Sequence, residues 1–142
     1  MAAAFDPSSN DIVLTNSDGS ISIKKLNGED INVLYGHGGE VWQAEFGPDG
    51  KRIASTAQDG IFRIWNRDGD LLQSFEHPAK VDGRIRFSPD GQYIAVSAWG
   101  RNDILLLNRD GDWVTTIQSP NVVDIAFSPD GKNLPAPPLS AL

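Results

Sequence analysis

A chain of 142 residues, 39% hydrophobic and 22% charged, is long enough for one domain that buries roughly two thirds of the surface its unfolded chain exposes. Its formal net charge of -7 and pI of about 4.6 count against a surface that tracks phosphates, because nucleic acid and anionic lipid are bound by clustered Lys and Arg. Cysteine is absent, which excludes disulfides and thiolate zinc sites, and the run Ile104-Leu105-Leu106-Leu107 is far shorter than the ~18 apolar residues that span a bilayer.

The chain starts Met1-Ala2-Ala3-Ala4-Phe5-Asp6-Pro7, with neither the basic nor the apolar region of a secretory signal, so a cytoplasmic protein is expected. Phe5-Asp6-Pro7-Ser8 is followed by Asp18-Gly19-Ser20-Ile21-Ser22-Ile23 and then by Asn27-Gly28, which together mark a first unit over about residues 2–35. A second unit, about 40–75, repeats the markers in the same order. It predicts four short strands, Val41 to Phe46, Arg52 to Thr56, Ile61 to Asn66 and Leu71 to Phe75. Between them lie Pro48-Asp49-Gly50, where proline presets the first corner of a turn, and Asp59-Gly60 and Asp68-Gly69, which suit tight hairpins.

The third unit, about 81–117, carries Phe87-Ser88-Pro89-Asp90-Gly91, Asn102-Asp103-Ile104-Leu105-Leu106-Leu107-Asn108 and Asp110-Gly111. Val122 to Phe127 then predicts the innermost strand of a fourth unit, followed by Ser128-Pro129-Asp130-Gly131. The prolines of Pro135-Ala136-Pro137-Pro138-Leu139-Ser140-Ala141-Leu142 remove ladder donors, so 135–142 reads as an irregular tail beyond a repeat region of 2–134.

A period of about 40 residues, with short strands and no helical stretch, means radially or linearly stacked β units. Ile53, Ala54, Phe62 and Ile64 put apolar side chains on both faces of the middle sheet, which therefore has to stack on its copies. The expected fold is all-β: β-propeller blades, each a four-stranded antiparallel meander, about three of them in an incomplete ring, since closed rings have at least four.

The middle unit resembles a WD40 repeat in Gly36-His37, Pro48-Asp49-Gly50, Ile53-Ala54-Ser55, Asp59-Gly60 and Ile64-Trp65-Asn66, with Asn66 where that family usually has Asp. The near-identical loops suggest a bacterial-type repeat array. In that family a His, a Ser or Thr, an Asp and a Trp form a buried hydrogen-bonded chain, and His37, Ser55, Asp59 and Trp65 match it position by position. The role so implied is structural, because buried polar groups are costly unless they satisfy one another. The first unit has Lys24 at the Trp65 position. The third has Arg101 and Leu107 at those of Asp59 and Trp65, although His77 and Ser97 match His37 and Ser55.

No phosphate loop, nucleophile elbow or zinc-binding helix motif occurs, and His37 and His77 are repeat equivalents rather than a metal pair. No catalytic residue, metal or cofactor is expected. Function in propellers sits on loops and channel-lining positions. Trp42 is a partner anchor at the rim or, alternatively, an inter-blade packing residue. Arg84 and Arg86, at the Gln43 and Glu45 positions of the next unit, are placed to line the channel and pair with Glu45 or Asp124. Trp99 and Arg101 belong to a loop one residue longer than its neighbours and are further candidates for the partner surface. The resemblance implies a non-catalytic scaffold for a protein or peptide partner, with no nucleic acid and no membrane. The abrupt tail suggests a fragment or truncated form of a longer propeller. The alternatives are a regulatory or sensor segment of a larger signalling enzyme and a homo-oligomer that completes the ring.

Overall fold

The computed structural model describes residues 2–76, 83–98, 101–120 and 125–128. Turn chemistry punctuates the described residues into twelve strands. The first sheet contains β1 (Ala3–Phe5), β2 (Asp11–Thr15), β3 (Ile21–Lys25) and β4 (Asp30–Leu34). The second contains β5 (Val41–Phe46), β6 (Arg52–Ala57), β7 (Ile61–Asn66) and β8 (Leu71–Glu76). The third contains β9 (Gly83–Phe87), β10 (Tyr93–Ala98), β11 (Asp103–Asn108) and β12 (Trp113–Gln118). Each is an antiparallel meander in chain order, and among the described residues the three do not close into a ring. Of the strand expected over 122–127, residues 122–124 lie outside the described residues, and the described residues 125–128 form no strand. The tail 135–142 also lies outside them.

Alternation of side chains splits the middle sheet between two seams. Ala44, Phe46, Ile53 and Trp65 pack against Val13, Ile21, Ile23 and Leu34 of the first sheet. From the opposite face, Ala54, Phe62 and Ile64, with Phe75 beside them, pack against Ile85, Phe87, Ile94, Val96, Leu105 and Leu107 of the third. The innermost strands carry the stacking, β5 lying against β1 and β2, and β9 against β5 and β6.

A β-bulge recurs between the third and fourth strands of every sheet, at Ile23/Lys24, Ile64/Trp65 and Leu106/Leu107. Each bulge adds local twist. Two polar devices tie the seams. Gln43 donates from Nε2 to the Ile85 carbonyl at 3.0 Å and accepts the Ile85 N–H at 3.1 Å, so one side chain bridges the second and third sheets as a peptide group would. At the other seam Arg67, in the β7–β8 turn, reaches back to the first sheet. It donates to the Asp6 carboxylate at 2.5 Å, to the Gly50 carbonyl at 3.0 Å and to Asp11, with its guanidinium over the Phe46 ring. Burial alone would raise the Asp6 carboxyl, but the hydroxyls of Ser9 and Ser8, the Ser8 N–H and Arg67 hold it down to about 2.

The repeat permits an internal comparison. Phe5, Phe46 and Phe87 occupy equivalent positions at the ends of β1, β5 and β9, yet Phe46 is 2% exposed and Phe87 8%, whereas Phe5 is 65% exposed. Phe46 and Phe87 are covered by the preceding sheet. Phe46→Ala is therefore expected to cost about 3–5 kcal/mol in urea unfolding, and Phe5→Ala no more than about 0.5 kcal/mol. Equal losses at the two positions would contradict this account of the seams.

Candidate functional site

The turn after β4 brings Gly36 and His37 back over the middle sheet. Gly36 has φ 147, and a Cβ there would come within 3.0 Å of the Trp65 ring, so the close approach requires glycine. His37 is thereby set edge-on to Trp65, with ring centroids 6.0 Å apart. Strand β6 presents Ser55 from below, and the β6–β7 turn presents Asp59.

These four side chains meet. Trp65 Nε1–H donates to Ser55 Oγ at 2.9 Å, and Ser55 Oγ lies 2.7 Å from His37 Nε2. His37 Nδ1 lies 3.3 Å from Asp59 Oδ2. The imidazole thus has the Ser55 hydroxyl at one nitrogen and the Asp59 carboxylate at the other, and the hydroxyl oxygen also receives the indole N–H. Asp59 also accepts the backbone N–H groups of Gly38 at 2.9 Å and Ile61 at 3.0 Å. The carboxylate thus fixes the loop before β5 and the turn before β7 at once.

A fifth member was not singled out from sequence. Arg63, two residues before Trp65 on β7, donates to Asp59 Oδ2 at 2.7 Å and stands against His37 Nδ1. Burial and then the Arg63 charge push His37 down from 6.5 to about 4, against the opposing pull of Asp59. Burial would raise Asp59, but the Gly38 N–H, Arg63 and the Ile61 N–H bring it down to about 2. At neutral pH the chain is therefore a neutral imidazole beside an Arg–Asp ion pair.

The other candidates are not gathered into one place. Trp42 sits at a bulge in β5 between Val41 and Gln43, outside both apolar seams and 42% exposed. On β9 the two arginines differ. Arg86 donates to Glu45 at 2.9 Å and to the Ile125 carbonyl at 3.4 Å, while the buried Nε of Arg84 has no hydrogen-bond partner among the described residues. Arg101 is exposed and lies 3.7 Å from Asp103, and Trp99, His77 and Asp124 lie outside the described residues. Among the described residues no group of three His, Asp or Glu side chains is placed to hold a metal, and no helix is long and apolar enough to cross a membrane.

Residues 28–66, which span the outermost strand of the first sheet and the polar chain, match the family model of the WD domain, G-beta repeat. This segment is a WD40 repeat. It is 31% identical over 103 residues to eukaryotic translation initiation factor 3 subunit I of Emericella nidulans, a match over 68% of this chain and 30% of that protein. The same subunit of Phaeosphaeria nodorum is 32% identical over 85 residues, covering 59% of this chain and 25% of the relative. The chain thus spans less than a third of the length of these relatives. The β-propeller domain of Myceliophteria thermophila Cps50 (Swd1) superposes with a TM-score of 0.69 at 20% identity, over 82% of this chain and 43% of that one. That likeness shows the propeller fold for the WD40 repeats.

The depressed His37 fixes the sign of a pH effect. Its folded value lies below 6.5, so the unfolded chain binds the proton first. Stability is full above pH 6.5 and is lost as pH falls toward 4, by roughly 2–3 kcal/mol. Urea midpoints measured at pH 7 and pH 4 should show this loss, and His37→Asn should lack that component of the slope. Ser55→Ala strands both the indole N–H and the imidazole and should cost about 1–3 kcal/mol at pH 7.

Proposed function

We propose that the chain is a non-catalytic protein-interaction scaffold of the cytoplasm, with the rim around Trp42 as its contact surface. The observation that carries this reading is where Ser55 stands. Histidine, serine and aspartate side chains touch, as they do in hydrolases, but Ser55 is fully buried and its oxygen is committed to the Trp65 indole. A nucleophile needs a substrate within reach and a free lone pair. The constellation serves instead to hold the Gly36–His37 loop rigid beside Trp42. The relatives support the same reading, since they are named as a subunit of a larger factor.

A large amphipathic ring, half exposed on a rigid frame, is a suitable hot spot for a protein or peptide partner. With the chain expressed in cells, cross-linking followed by mass spectrometry should place partner residues next to Trp42. Trp42→Ala should lose those cross-links with the melting temperature unchanged. Labelling of Ser55 by a fluorophosphonate probe would overturn the non-catalytic reading.

We further propose that these three blades work as part of a longer ring. The exposed Phe5 supports this, because its equivalents are covered by a preceding blade. Light scattering on the purified chain should give no discrete, well-folded dimer. A closed dimer would replace this reading with a ring completed by a second copy.

A further inference from the structure

The pentapeptide Asn66-Arg67-Asp68-Gly69-Asp70 of the second sheet recurs unchanged as Asn108-Arg109-Asp110-Gly111-Asp112 in the third. The two arginines occupy equivalent turns, yet they overlook different clefts. Arg67 is seated between the first and second sheets by Asp6 and Asp11, over the face of Phe46. At the next seam Gly47 stands in the place of Asp6, and Arg52 in that of Asp11.

That exchange reverses the lock. Arg52 donates from Nη1 to the Asp110 carboxylate at 2.9 Å and to the Arg109 carbonyl at 2.6 Å. A guanidinium has no acceptor, so Arg52 offers Arg109 nothing. The Arg109 side chain has no partner among the described residues. It borders a cleft of about 240 Å³ lined also by Gly47, Arg52, Phe87, Gly91 and Gln92.

None of the carboxylates around the cleft accepts from Arg109. Asp90 accepts the Ser88 hydroxyl at 2.6 Å and the Gln92 N–H at 3.0 Å, Asp49 accepts the Lys51 N–H at 2.9 Å, and Asp110 is held by Arg52. The volume is smaller than the ~300–1,000 Å³ of ordinary small-molecule sites, which suits one side chain rather than a nucleotide.

We propose that this cleft seats a single carboxylate side chain, Asp or Glu, from an extended segment of a protein partner, paired with Arg109 over the ring of Phe87. The protein nature of the partner rests on the scaffold reading above. The occupant is the group that the first seam supplies from within the chain and the second lacks. Gly47 keeps the seat open: a Cβ there would meet Phe87 at 3.5 Å and the Arg52 carbonyl oxygen at 3.6 Å, which is ordinary contact. A side chain therefore fits at Gly47, and Gly47→Asp would restore the carboxylate of the first seam.

The test titrates the blocked tripeptide acetyl-Gly-Glu-Gly-amide into the full chain and follows the Arg109 Nε–H resonance by NMR, with the Gln tripeptide and inorganic phosphate as parallel arms. The expected result is a saturable shift with the Glu peptide and none with the Gln peptide. Binding should be at least about tenfold weaker in Arg109→Gln, and it should be lost in Gly47→Asp with no fall in melting temperature. Should Gly47→Asp fail to fold, Arg109→Gln carries the comparison alone. No shift with the Glu peptide would overturn the site. An equal shift with phosphate would overturn its assignment to a protein segment. Either failure, with the Trp42 cross-links intact, would leave the scaffold reading standing.

Discussion

A four-stranded sheet with apolar side chains on both faces cannot be dry on its own. Everything else in this chain follows from that constraint. The middle sheet satisfies it by giving Phe46, Ile53 and Trp65 to one neighbour and Ala54, Phe62 and Ile64 to the other. At roughly 1.5–3 kcal/mol for each large apolar side chain removed from water, the seams outweigh any single polar contact described here. The polar chain of His37, Ser55, Asp59 and Trp65 acts within that frame. It lets a bulky indole enter the first seam without an unsatisfied N–H and pins two loops to the same carboxylate.

Under the proposed reading, partner contact and stability fall to different residues. Residues that look chemical are buried and serve the fold, while the residues available to a partner are those the seams left over. Trp42 belongs to the second group because a bulge turns it out of the alternation that buries its neighbours. Arg63 belongs to the first: its charge neutralises Asp59 and helps to keep the imidazole neutral at physiological pH.

The strands and their order were legible because turn chemistry recurs with the sheets. The strand predicted over Ile61 to Asn66 coincides with β7, and Leu71 to Phe75 falls one residue short of β8. The meeting of His37, Ser55, Asp59 and Trp65 was readable only through the family pattern, since no local rule joins residues from four segments. Other features had no signal in sequence. The bulge at Trp42 changes register without changing composition. Arg67 and Arg109 sit in identical pentapeptides, so only the residues opposite them, Asp6 and Asp11 in one case and Gly47 and Arg52 in the other, decide which is locked in place.

The bridge made by Gln43 has a wider consequence. An amide side chain both gives and takes a hydrogen bond, so it can serve both backbone groups of Ile85 in the next sheet. At the equivalent place the first sheet has Ala2 and the third has Arg84, which can only give. The sheets share one shape but are not interchangeable parts. Exchanging two of them would break this polar match, so a single side chain per sheet makes the order of the blades directional.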